Sequence, residues 1–369
     1  MRSLLAESTR RIILILTWIV IAHSSLLFGQ VVTLQETGPS AKRIDVVVVG
    51  DGYTSAELGK FAADVNLFFV GVFQQEPFRE YQNYFNVRRI DVASMESGVD
   101  HPERTPAVFR DTAFDAAYNC SNIQRLICVS TGKVLNAIGI LPPTQRDLVL
   151  VIVNDDEYGG SGGAVGVAST NSASVEIMLH EVGHTLAFLA DEYTSQPPNC
   201  IDSVEPTERN ATKETTRSLI KWNTWIDPAT AVPTSGTALG VPGLYLGSKY
   251  CPNTLYRPTF DSKMRSLGRS YDQVNTERFV WRFYDFATPI EAQVPSTTAL
   301  TLVQGQAQQF SVTTPSPRTH SLTVNWQLNG NAAATGNTFT LQTNGLAVGI
   351  HAVTVVVADG TQSVRSDPG

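Results

Sequence analysis

The chain has 369 residues, a formal net charge of −7 and 42% apolar residues. This length allows one large domain and a smaller one, and the apolar content is sufficient for a sizeable buried core. Lysine and arginine are scattered along the chain and form no basic cluster, which excludes the usual basic type of nucleic-acid-binding protein. We therefore expect a globular protein whose partners are not nucleic acids.

The N-terminus has the layout of a secretory signal. Arg2, Arg10 and Arg11 precede an uncharged run, "IILILTWIVIA", and a weaker apolar stretch follows as far as Gly29. A positive flank, a short apolar core and small residues predict a signal peptide over residues 1–29. A single membrane anchor is the alternative, because about 18 uncharged residues approach the length of a span. No later segment does so, and we expect a secreted or cell-surface protein with no stable membrane span after processing.

Four cysteines lie in the exported part of the chain: Cys120, Cys128, Cys200 and Cys251. An even number in an oxidising compartment predicts two disulfides. Proximity in the sequence favours Cys120–Cys128 and Cys200–Cys251 among the three connectivities that four cysteines allow.

Residues 30–289 alternate between strand and helix patterns. "RIDVVVVGDGYT", "YFNVRRIDVAS" and "DLVLVIVN" are predicted strands, and "SAELGKFAADVNLFFVGVF" is a predicted helix with Ser55 as its cap. These elements predict an α+β domain with helices packed against a mixed sheet. "GGSGGAVGVAST" then forms either an edge strand that pairs with an extended peptide or a flexible loop. Residues 194–262 have little periodicity and are expected to form the far wall of a cleft.

The pattern changes after Pro289 to short β-type runs separated by Gly and Asn turns. Val324, Trp326 and Leu328 fall on one face of such a run. We expect residues 290–369 to form a small all-β sandwich of immunoglobulin type, which can lack its final strand. Such a sandwich can contact glycan or protein, or can act as a spacer.

The stretch "HEVGHTLAFLADEY" at positions 180–193 carries the strongest functional signal. On a helix from residue 175 to 189, with about 100° per residue, five apolar side chains form one stripe facing the core. His180 and His184 then lie on the opposite side, one turn apart, where both can reach one zinc ion. Glu181 lies about 100° round from His180, where it can take a proton from a zinc-activated water. Two ordinary surface histidines are the alternative interpretation.

A catalytic zinc normally has three protein ligands. The other histidines outside the signal are remote in sequence: His101, His320 and His351. A carboxylate is therefore expected, and Asp191 is favoured because it lies about 20° from His180 by helical angle. This requires the helix to end near residues 188–190 so that the chain can fold back. The alternatives are the neighbouring Glu192 and, less favoured, the distal Glu208 and Glu214.

The same run resembles the zinc-site signature of the bacterial IgA peptidase family of metallopeptidases, whose members are metzincin-like. The resemblance extends to "VVVVGDGYTSAELGKF", "YFNVRRIDVASMESGVD", "YGGSGG" and "LYRPTFDSKMR", and it covers about residues 43–288. It implies a metzincin-like zinc peptidase domain. It also implies roles for five residues: zinc ligands His180, His184 and Asp191, general base Glu181, and Met264 in the turn beneath the metal.

The sequence departs from standard metzincins at two points. Ala187 stands where they have the helix-ending glycine, and the acidic ligand is displaced by one position. Tyr193 and Tyr256 are candidates for donating a hydrogen bond to the oxyanion or substrate, although either can equally be a packing residue.

Two functions are compatible with these patterns. The first is a secreted zinc-dependent endopeptidase acting on a protein or peptide substrate. The second is a surface adhesin or binding protein that keeps the fold but has a degenerate metal site. The intact histidine pair and Asp191 favour the first.

Overall fold

The computed structural model describes residues 29–195 and 200–366. Apart from Gly29, the predicted signal peptide, residues 1–29, lies outside the described residues. Within these ranges, every helix is too short or too polar to cross a membrane.

A six-stranded mixed sheet forms the centre of the molecule. Its spatial order is β1 (Gln30–Gln35), β3 (Phe85–Asp91), β2 (Ile44–Asp51), β4 (Leu148–Val153), β6 (Gly166–Ser169) and β5 (Gly160–Ser161). The four inner strands are parallel, whereas β1 and β5 are antiparallel to their neighbours. Every residue of β2 and β4 is buried, as expected for parallel strands that are covered on both faces. The mixed sheet predicted from the sequence is therefore present.

Three helices cover one face of this sheet: α1 (Leu58–Val72), α3 (Ser174–Thr185) and α4 (Gln273–Phe286). A Cβ added at Gly71 would lie 2.7 Å from Val175 Cγ2, so glycine permits the close approach of α1 to α3. The shorter α2 (Thr131–Ala137) and the loops around it pack on the other face.

The structure corrects two predicted helix boundaries. The N-cap of the first turn leading into α1 is Thr54 rather than Ser55. The Glu57 carboxylate accepts hydrogen bonds from the N–H and the hydroxyl of Thr54. Helix α3 ends at Thr185, earlier than the predicted 189, because the chain folds back and the Leu189 N–H donates to the Gly183 carbonyl.

The part between residues 200 and 262 contains a hairpin of β7 (Tyr245–Ser248) and β8 (Cys251–Arg257) and a separate apolar cluster around Trp222. The Cys200–Cys251 disulfide ties this part together, and Cys120–Cys128 closes a loop beside the sheet. Both predicted pairings are confirmed.

Two antiparallel three-stranded sheets form the C-terminal part. One contains β9 (Ala292–Val294), β10 (Ala307–Thr313) and β13 (Thr338–Gln342), and the other contains β11 (Thr323–Leu328), β12 (Asn331–Thr335) and β14 (Val353–Ala358). Val324 and Trp326 are buried between the sheets, as their spacing predicted, while Leu328 is partly exposed. The immunoglobulin-like topology stays a prediction.

Candidate active site

Helix α3 carries His180 and His184 one turn apart while its apolar stripe is buried against the sheet. The two imidazole Nε2 atoms are 3.2 Å apart. Oδ1 of Asp191 lies 3.0 Å from His180 Nε2 and 3.3 Å from His184 Nε2. The three ligand-type atoms therefore form a nearly equilateral triangle.

This triangle has the size that a tetrahedral metal site requires. Zinc binds imidazole nitrogen and carboxylate oxygen at about 2.0–2.1 Å, and tetrahedral angles then place two ligand atoms roughly 3.3 Å apart. The observed separations lie between 3.0 and 3.3 Å. Two imidazoles and one carboxylate also leave a fourth position open for water or substrate. The donor set fits a catalytic zinc ion.

Backbone carbonyls orient both imidazoles. Nδ1 of His180 lies 3.0 Å from the Lys263 carbonyl, and Nδ1 of His184 lies 2.7 Å from the Leu189 carbonyl. A carbonyl only accepts hydrogen bonds, so each neutral ring carries its proton at Nδ1 and presents the Nε2 lone pair to the centre of the triangle. This is the outer arrangement usual for metal-binding histidines.

Asp191 holds a negative charge at the centre. Burial alone would raise its pKa, but the hydrogen bonds that His180 and His184 donate through Nε2 when their rings carry a second proton outweigh burial and hold the pKa well below its usual range. Burial likewise opposes the charged form of His184, yet its hydrogen bond to Asp191 raises the pKa of His184 to about 9. The site thus attracts a cation. This cation is a proton in the metal-free protein and a metal ion when one is bound.

Glu181 faces the cavity beside the triangle. Among the described residues, no group donates a hydrogen bond to its carboxylate, and burial raises its pKa, partly offset by His180 and His184. A Cβ at Gly162 would lie 2.8 Å from Glu181 Oε2, so this glycine leaves room for the carboxylate. Glu181 is free to exchange a proton with a bound molecule.

Glu192 was the alternative ligand, and its surroundings differ from those of Asp191. Its buried carboxylate accepts three hydrogen bonds, from Asn210 at 2.9 Å, Ser262 at 2.7 Å and Asn275 at 3.0 Å. Burial, with a contribution from Asp272, raises the pKa of Glu192 to about 8. Its oxygens are occupied away from the histidines.

The remaining candidate ligands have other partners. Glu208 is paired with Lys249 at 2.6 Å, and the Glu214 carboxylate accepts from the Thr216 N–H at 2.6 Å. His101 belongs to a separate cluster, where its nitrogens face Glu103 at 2.9 Å and Asp155 at 3.0 Å.

Met264 is fully buried under α3. A Cβ at Gly183 would lie 2.5 Å from Met264 Sδ, so this glycine allows the turn to approach the helix between the two histidines. The Met264 carbonyl accepts from the Glu192 N–H at 2.8 Å. The turn therefore fixes both the floor of the site and the chain that carries Asp191.

A cavity of about 260 Å³ opens beside the triangle and is lined by His180, Glu181, Tyr193 and Arg125, among others. The Tyr193 ring stacks against His180 with centroids 6.3 Å apart. Tyr256 does not line this cavity, because it lies in β8 and packs against the cluster around Trp222. Of the two tyrosines, Tyr193 is the one that lies beside the triangle.

Sequence reasoning missed Tyr250. Its hydroxyl donates a hydrogen bond to Asp191 Oδ2, and its ring packs edge-on against Tyr193 with centroids 5.5 Å apart. Its only sequence signal is a tyrosine between two short strands, and nothing in that pattern indicates contact with residues sixty positions earlier.

The predicted substrate-binding edge is partly covered. The Gly160 N–H of β5 donates to the Arg125 carbonyl at 3.1 Å, and the Ile127 N–H donates to the Gly160 carbonyl at 3.4 Å. Residues 125–127 therefore occupy the outer side of β5 at Gly160, so an extended peptide cannot pair there.

Comparison with known proteins agrees with this geometry. The family model of IgA peptidase M64 matches residues 32–238, which is more than half of the chain and includes α3, Asp191 and Tyr193. No curated protein matches the chain.

Proposed function

Because the chain belongs to the IgA peptidase M64 family, we propose that it is a secreted zinc-dependent endopeptidase that hydrolyses protein or peptide substrates. The observation that carries this proposal is the triangle of His180, His184 and Asp191, whose ligand-type atoms are 3.0 to 3.3 Å apart. Its size, its donor set and the cavity beside it support a catalytic zinc rather than a purely structural one.

The residues of the site have different roles in the proposed reaction. When bound by the three ligands, zinc would lower the pKa of a water molecule and polarise the scissile carbonyl. Glu181 takes a proton from the attacking water and delivers it to the leaving amine. Burial raises its pKa, which makes Glu181 a stronger base for this transfer. To Tyr193, whose ring stacks on His180, we assign a hydrogen bond to the developing oxyanion.

We further propose the division of the chain into a catalytic part, residues 30–289, and an immunoglobulin-like part, residues 290–369. Two disulfides are typical of exported proteins and support secretion directed by residues 1–29. The C-terminal sheets would contact glycan or protein, or hold the catalytic part away from a surface.

The test is a Glu181→Gln variant of the full exported chain. We expect it to bind zinc as the wild type does, because Glu181 is not a ligand, and to lose about 10²- to 10⁴-fold in kcat/KM on a denatured protein substrate. Zinc would be measured by elemental analysis and cleavage by mass spectrometry of the products. Glu36→Gln, which removes an exposed carboxylate, is the matched control and should cleave normally.

Undiminished cleavage by the Glu181→Gln variant would contradict the assigned mechanism. A wild-type protein that contains almost no zinc after gentle purification and cleaves nothing would favour the adhesin with a degenerate metal site.

A further inference from the structure

Arg125 places a positive charge in the wall of the catalytic cavity, within the electrostatic influence of Tyr193 and Glu181. Among the described residues, its guanidinium makes no ion pair and one polar contact, a long one of 3.5 Å to the Tyr193 hydroxyl. The other arginine of this wall, Arg265, differs because it donates to the Phe260 carbonyl at 3.0 Å and lies 3.8 Å from Asp261. Arg125 therefore has donors to spare for a ligand.

The backbone of Arg125 is firmly anchored. It lies in the loop that the Cys120–Cys128 disulfide closes, and its carbonyl accepts from the Gly160 N–H at 3.1 Å. The adjoining Ile127 is fully buried in the core on that face of the sheet. A loop held in this way fixes the point from which the Arg125 side chain enters the cavity, which reduces the backbone entropy that binding must overcome.

The charge of the cavity contrasts with that of the whole chain. The protein has a net charge of −7, yet the described residues that line the cavity include two arginines and a single carboxylate, Glu181. The proton transfer is assigned to Glu181, and the reaction as assigned gives Arg125 no role. A planar guanidinium of this kind binds a carboxylate through two parallel hydrogen bonds.

We propose that Arg125 is a specificity-determining residue that binds a carboxylate of the substrate close to the scissile bond, so that the enzyme selects acidic segments of polypeptides. This inference rests on the proposed peptidase function, because it gives the substrate class of the same site. The carboxylate is an Asp or Glu side chain, since an endopeptidase acts within a chain. A free C-terminal carboxylate has the same chemistry, and the test separates the two.

The first experiment measures binding and does not depend on turnover. In the zinc-loaded Glu181→Gln background, we would titrate pairs of amidated peptides, differing only by Glu or Gln at each position in turn, by fluorescence anisotropy. We expect the Glu peptide to bind about 10- to 100-fold more tightly at one position. Adding Arg125→Gln should remove this difference and leave the affinity for the Gln peptide nearly unchanged.

The second experiment measures cleavage by the wild type, Arg125→Gln and Arg125→Glu on a peptide library of known sequence. The wild type should cut next to Asp or Glu, Arg125→Gln should show no charge preference, and Arg125→Glu should favour Lys or Arg at the same position. Because the bound charge contributes in both ground and transition states, the change should appear mainly in KM. Arg110→Gln, which removes an exposed arginine outside the cavity, is the matched control.

The outcomes distinguish the two proposals. Cleavage without any acidic preference, or a preference that survives in Arg125→Gln, would overturn the role of Arg125 and leave the peptidase intact. Tight binding that requires a free C-terminus and disappears on amidation would replace the side-chain carboxylate with the terminal one. An Arg125-dependent binding preference without cleavage by the wild type would instead contradict the proposed peptidase.

Discussion

Asp191 and Glu192 are neighbours in the chain but lie in opposite environments. Oδ1 of Asp191 faces two imidazoles, whereas Glu192 accepts hydrogen bonds from three neutral side chains on the other side. The two side chains leave the chain on opposite sides, so only one of them reaches the histidines. Helical angle favoured Asp191, but the sequence could not show where the chain turns back, and the choice stayed open.

The resemblance drawn from the sequence predicts a helix-ending glycine at position 187, but the left-handed conformation of this chain falls on the next residue, Phe188, with a φ of 54°. Asp191 is displaced from the position that the resemblance predicts by the same one residue. The turn at Phe188 leaves a bulky side chain in a conformation that normally favours glycine.

Substitutions at Phe188 test this displacement. Because the left-handed region costs a non-glycine residue about 1 kcal/mol or more, we expect Phe188→Gly to be more stable than Phe188→Ala by about that amount, seen as a higher Tm. At Ala187, which lies outside that region and is fully buried, Ala187→Gly should instead lower the Tm. Equal stability of the two Phe188 variants would show that the chain does not need the left-handed turn there.

At the scale of elements, the β7–β8 hairpin holds the segment that carries Asp191. Its two-residue tip, Lys249 and Tyr250, has positive φ values of 46° and 63°, as in a type I′ turn, but contains neither Gly nor Asn. The strain is offset by contacts, because the Lys249 N–H donates to the Asp191 carbonyl at 2.8 Å and the Tyr250 N–H donates to the Tyr193 carbonyl at 3.0 Å. The hairpin therefore holds the backbone segment that carries the Asp191 carboxylate.

Removing the Tyr250 hydroxyl tests this role of the hairpin. Tyr250→Phe takes away the hydrogen bond to Asp191 Oδ2, and loss of such an outer partner lowers metal affinity by about 10- to 100-fold. Competition for zinc with a coloured chelator would measure the loss. Tyr245→Phe, in the same hairpin, is the control and should bind zinc as the wild type does. Identical affinities for both variants would contradict a supporting role for Tyr250.

At the scale of the whole molecule, the elements that could be predicted are those whose burial shows in the local pattern of apolar residues. The runs that became β2 and β4 are apolar enough to identify a covered sheet, and α3 has a clear stripe. The order of strands and the β7–β8 hairpin depend on contacts between distant residues, which periodicity does not contain. The histidine pair was therefore predictable, whereas Tyr250 was not.

The C-terminal part contacts the rest of the chain through several polar groups, and His320 is one of them. Nδ1 of His320 lies 2.8 Å from Glu80 Oε1, and its Nε2 lies 2.6 Å from Asp359 Oδ1. Asp359 Oδ2 also accepts from the hydroxyls of Tyr81 and Tyr284, each at 2.7 Å. Both imidazole nitrogens face carboxylates, so the charged imidazolium donates two hydrogen bonds across this contact.

This contact should depend on pH. Burial opposes the charge on His320, but hydrogen bonds to Asp359 and Glu80 outweigh burial and raise its pKa above the unfolded value of about 6.5. A raised folded pKa gives stability that is fully present below the unfolded pKa and is lost as pH rises through the folded pKa. We expect His320→Gln to lower the Tm by about 2 °C below about pH 6.5, with the deficit shrinking at higher pH. His351→Gln is the control in scans from about pH 5.5 to 9, because within the described residues the His351 ring hydrogen-bonds only to amide groups. A deficit that grows with pH would reverse the assignment of charge.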